Sequence, residues 1–160
     1  MLARRLAEAG VPFTLGNFST NQEWDTNTDN FNPLKKVQWP RMDRAVATLL
    51  DDLSERGLLE TTLVALITEF GRTPKINPAA GRDHWSDVFS VMLAGGGLKS
   101  GQVLGTSTAR GERPQDRPIH FNDVFATIYQ QLGIPTDRML QDASGRPVAI
   151  LNEGAPIPEL

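Results

Sequence analysis

The sequence predicts an α/β fold, a partial doubly wound sheet of mainly parallel strands flanked by helices, in a single domain over residues 1–160. Three observations carry this. Leu63, Val64, Ala65, Leu66 and Ile67 form an unbroken apolar run with a β-branched bias, the pattern of a strand covered on both faces rather than one. A second such run, residues 88–94, comes within thirty residues and stops at Gly95, Gly96 and Gly97. Upstream, a strand-like segment, residues 11–18, precedes a helical one. Strand, helix and strand in that order make a βαβ unit, whose crossover is right-handed and whose ligands gather beyond the carboxyl ends of the strands. That topology sets Asp25, in the loop after the first strand, and Glu69, after the second, on one rim.

In chain order, Leu2, Ala3, Leu6 and Ala7 share one face of a short helix that Gly10 can end. The strand at 11–18 tolerates Pro12 at its start. Residues 19–33, STNQEWDTNTDNFNP, are too polar to be core and read as a long loop, of the kind that often carries function. A helix is predicted from Pro40, with Met42, Val46, Leu49, Leu50 and Leu53 at helical spacing, until Gly57. The three consecutive glycines read as a turn, since no lysine-serine signature of a phosphate loop comes after them. Residues 105–118 read as exposed turns. Asn122 is placed as an N-cap for a helix bearing Val124, Phe125, Ile128 and Leu132, before Gly133 and Pro135. A last short strand spans 146–151, and residues 152–160 read as a frayed tail.

Composition narrows the function classes. A formal charge of −3, with Lys and Arg scattered, offers no basic field for nucleic acid. The absence of cysteine removes disulfides, thiolate nucleophiles and cysteine-ligated zinc. No apolar run approaches the roughly 18 residues of a membrane span, and the first ten residues form an amphipathic helix rather than a signal peptide. The expectation is a soluble protein, cytoplasmic as written.

Chemistry concentrates in residues 63–86, where the apolar run empties into Glu69, Arg72, Lys75, Arg82, Asp83 and His84. Glu69 can ligate a hard or borderline metal or act as a base; its plain alternative is a solvated strand end. Asp83 and His84 adjoin, so one is expected to face the site and the other to orient a partner. Arg72 and Lys75 suit an anion, the first by paired bonds and the second as a point charge; otherwise the loop simply pairs its own charges. Asp25, beside Trp24, is a candidate, whereas Asp29 and His120 read as structural.

The motifs WDTNTDNF (24–31), EFGRTP (69–74) and GRDHW (81–85), with LAGGG after them, resemble the carboxyl-terminal part of the DUF1501 family, which is related to the alkaline phosphatase and sulfatase superfamily. The resemblance runs from about residue 2 to residue 135. It implies a divalent metal (zinc, calcium or manganese) held by Asp25, Glu69 and His84, with Arg72 near a substrate anion. Glu69, Arg72, Asp83 and Lys75 are then the candidates for catalysis. The implied activity is metal-assisted hydrolysis of small anionic phosphate or sulfate esters. Two departures stand against it. The family motif reads Trp-Asp-Thr-His where this chain has Asn27, a weaker ligand, and the superfamily's amino-terminal half with its usual nucleophile has no counterpart, as in a truncated reading frame. A sheet cut through its middle would expose an apolar edge, so a homodimer is expected. The alternatives are a metal-independent hydrolase, such as a glycosidase using Asp25 and Glu69, and a folded remnant without catalysis.

Overall fold

The structure, a computed structural model, describes residues 2–18 and 23–160, so the opening of the expected loop, at 19–22, lies outside the described residues. Helix α1, Leu2–Glu8, leads into residues 11–18, which lie outside every described sheet. A continuous helical segment then begins at Phe31. It comprises α2 (Phe31–Pro33), one π turn (Leu34–Gln38) and α3 (Trp39–Glu55). The predicted start at Pro40 is therefore late. Proline lacks an N–H and clashes with the carbonyl four residues back, which a helix interior does not accommodate. Here the wider π turn comes just before it: the Trp39 N–H reaches back five residues to the Leu34 carbonyl.

The parallel, doubly wound sheet is overturned. Among the described residues the strands form three two-stranded antiparallel sheets. Strand β1 (Leu63–Leu66) pairs with β4 (Met92–Gly95), and β2 (Gly71–Arg72) with β3 (His84–Trp85). Near the end of the chain β5 (Met139–Gln141) pairs with β6 (Pro147–Ala149). Neighbouring parallel strands need a crossover, usually a helix. No helix lies between β1 and β4; the chain makes the β2–β3 hairpin instead and returns antiparallel. The other expected partner, residues 11–18, leaves Phe13 and Leu15 67% and 84% exposed.

The best-buried apolar side chains are Leu53, from α3, Val124 and Ala126, from α4 (Phe121–Gln131), and Ile157. Helix α1 is tied to α3 by Arg4 Nε, which donates to Asp52 Oδ2 at 2.9 Å. The cap of α4 is His120 rather than Asn122. Its Nδ1 accepts the Asn122 N–H at 3.2 Å, and its own N–H donates to Asp123 Oδ2 at 2.9 Å, so two otherwise orphaned donors are satisfied reciprocally.

The expected frayed tail is docked. Ile157 is buried and its N–H donates to Thr127 Oγ1 on α4 at 2.9 Å, while the Ala155 N–H donates to Asp123 Oδ1 at 3.0 Å. Arg117 grips Glu159 with two bonds of 2.6 and 2.7 Å, holding that carboxyl down at about 2. A short tail with one apolar anchor and several paired polar groups has more to gain from docking than its composition shows. No helix of the described residues is long and apolar enough to cross a membrane.

Candidate active site

The site is assembled from two loops that interlock through their backbones. Asp29 and Asn30 donate their N–H groups to the carbonyls of Ala79 and Ala80 at 3.0 and 2.9 Å, and the Arg82 N–H donates to the Thr26 carbonyl at 3.2 Å. Within the first loop the buried Thr26 hydroxyl donates to Asn30 Oδ1. The contact is so close that a Cβ on Gly81 would lie 1.8 Å from the Asn27 carbonyl oxygen. Only glycine fits there. Gly71 is fixed in the same way, since its Cβ would meet the Val88 carbonyl oxygen at 1.8 Å.

Register then sets the side chains. Arg72 and His84 are direct cross-strand partners in the β2–β3 pair, which brings their side chains to one face. Asp25, delivered by the first loop, meets both: its Oδ1 lies 2.7 Å from Arg72 Nη1 and 2.8 Å from His84 Nε2. The guanidinium is otherwise spent on the fold, donating to the carbonyls of Trp24 and Arg82 at 3.0 and 3.3 Å and to Asn27 Oδ1 at 3.2 Å. Hydrogen bonding from His84, reinforced by Arg72, holds the Asp25 carboxyl below its ordinary value. An ionised carboxylate only accepts, so the Nε2–H of His84 is the donor in this contact. The imidazole packs against Phe70, ring centroids 4.3 Å apart, with its side chain 53% exposed.

Asp25, Arg72 and His84 thus converge from three separate motifs. Glu69 does not complete a ligand triad with them: it sits exposed beyond the end of β1, and no group of three or more carboxylate or imidazole side chains able to hold a metal exists among the described residues. The pair that does meet is crowded by a guanidinium where a second cation would sit, so Asp25 and His84 do not by themselves fit a divalent ion. Asp83 is exposed and accepts from Asn77 Nδ2 at 3.0 Å. Lys75 is exposed, and its carbonyl accepts the Thr73 hydroxyl.

Sequence reasoning missed Asn77. Its Nδ2 also donates to the Asn27 carbonyl at 2.9 Å, and its Oδ1 accepts the N–H groups of Ala79 and Gly81 at 3.0 and 2.9 Å, so one side chain locks both loops. The Asn-Pro dipeptide at 77–78 was the available signal, a turn initiator. Asn27, weighed only as a weak ligand, is a loop lock too. An open surface depression of about 710 Å³ is lined by Asn30, Phe31, Leu34, Lys35, Trp39, Pro40 and Asp43, and none of the converging three borders it.

No curated protein and no solved structure matches the chain. A family model described as a protein of unknown function, DUF1501, matches residues 1–160. With its motif residues meeting at one point and its whole length matched, the chain belongs to the DUF1501 family.

Proposed function

We propose that the chain carries a hydrolytic site for phosphate or sulfate esters, the activity that kinship with the alkaline phosphatase and sulfatase superfamily would bring, with His84 as the group that takes a proton from water. One observation carries the reading: the Asp25 carboxylate bonds His84 Nε2 at 2.8 Å, orienting a half-exposed imidazole whose Nδ1 is left as the base. Water gives its proton to Nδ1 as its oxygen bonds to phosphorus or sulfur. The ester oxygen then leaves with a proton returned by the imidazolium. Asp25 stabilises the imidazolium, and Arg72 is a positioning residue that holds Asp25. Lys75, exposed in the adjoining loop, is the cation left to meet the anion.

A divalent ion belongs to this reading only with a donor beyond Asp25 and His84, and no step is assigned to one. Glycoside hydrolysis by Asp25 and Glu69 is disfavoured because the Asp25 carboxylate is already committed to His84 and Arg72.

The test is turnover of chromogenic phosphate and sulfate esters by purified protein, before and after chelation, with variants. His84→Ala is expected to lower kcat/KM by roughly 100-fold or more. Asp25→Asn should lower kcat with KM nearly unchanged, and Glu69→Gln should act like the parent. Loss of turnover on chelation would replace this mechanism with a metal-assisted one. Absence of turnover on every ester would remove the proposal.

A further inference from the structure

The chain exposes far more surface than its mass requires. Its accessible area is 11303 Å² at 17.6 kDa, whereas a monomeric protein of that mass exposes about 7,900 Å². The excess, about 3,400 Å² on one chain, is more than the roughly 1,000–2,500 Å² that each partner gives to a large permanent interface.

Two features locate where cover is wanting. Strand β1 is bonded to β4 along one edge only among the described residues, and its sequence, Leu63–Leu66, carries none of the lysine, proline or bulge that shields a free edge. Ala65 at its middle is exposed. A two-stranded sheet is marginal without a third strand or a covering helix. Meanwhile residues 11–15, VPFTL, alternate in the manner of a strand yet join no described sheet, with Phe13 and Leu15 among the most exposed apolar side chains of the protein.

We infer that two copies of the chain associate by exchanging this arm, residues 12–16 of each copy adding as a strand to the outer edge of β1 of the other. Arm and edge belong to the same chain in equal number, so a two-fold pair matches both and leaves no open end to propagate. The arm emerges from α1, which Arg4 anchors to Asp52 on α3, and it leaves at Gly10 in the left-handed conformation. Within one copy the arm joins no described sheet and β1 pairs with β4 alone, so a second copy is the occupant that satisfies both. Backbone pairing supplies affinity, and Phe13 and Leu15 supply the apolar contacts.

The test uses the full chain. Light scattering with size exclusion should give twice 17.6 kDa, and Leu15→Asp should return the protein to one copy with its helical circular dichroism unchanged. Because the chain has no cysteine, Thr14→Cys and Ala65→Cys can be made in separate chains, mixed, and treated with a short bismaleimide. A covalent two-chain product from the mixture, and little from either variant alone, is the expected result. A single-copy mass at every concentration up to the solubility limit overturns the inference. So does a dimer whose mixed variants fail to link.

Discussion

At the scale of single residues, the Asp25 carboxylate ties the candidate chemistry to stability. Its pKa is lowered in the folded chain from the ordinary 3.8, by His84 first and Arg72 second. A depressed carboxyl contributes stability that is present above its unfolded value and is lost as pH falls through the folded one. The parent should therefore be more resistant to urea than Asp25→Asn at neutral pH, and the gap should close as pH falls below about 3.8. A gap unchanged at low pH would mean that the carboxylate's charge is not what matters. Gly81 makes a sharper case. Gly81→Ala forces a Cβ into the Asn27 carbonyl, and a drop of about 1–3 kcal/mol in urea-unfolding free energy is expected. Much of this scale was legible in the sequence: Asp25, Arg72 and His84 stand out as polar groups packed into short motifs. Glu69 was grouped with them through a topology that the chain does not adopt. Strand β1 ends at Leu66, so the shared rim that would have joined Glu69 to Asp25 does not form.

Among elements, α4 and the tail act as one unit. Thr127 Oγ1 accepts the Ile157 N–H and donates to the Asp123 carbonyl, Asp123 holds both the helix cap and Ala155, and Ile157 is buried. Ile157→Ala should cost about 2–5 kcal/mol and make residues 152–160 the first segment cut by a protease. Stability within a few tenths of a kcal/mol of the parent would show that the tail is docked without contributing. The helices were legible because a 3.6-residue period is written into the chain itself. Strand direction was not, because an apolar run looks the same whichever way its neighbour travels. The choice fell to the hairpin between β1 and β4, whose two-residue strands β2 and β3 are too short to show a period.

For the molecule as a whole, the placement of the site on loops has a mechanical side. The π turn Leu34–Gln38 stands between the loop that delivers Asp25 and helix α3. Each residue of an α-helix turns the chain by about 100°, so a π turn, which holds one residue more than an α turn, works as a phase setting between the segments on either side of it. Trp24, next to Asp25, meets Trp39 edge-on at the first position after that turn, with ring centroids 5.5 Å apart. If residues 34–38 took regular α pitch at their full length, Trp39 would rotate by about a quarter turn relative to Phe31. The carboxylate would then be aimed elsewhere although no residue of the site had changed. In this chain the pitch of a single helical turn is part of the address of the converging side chains.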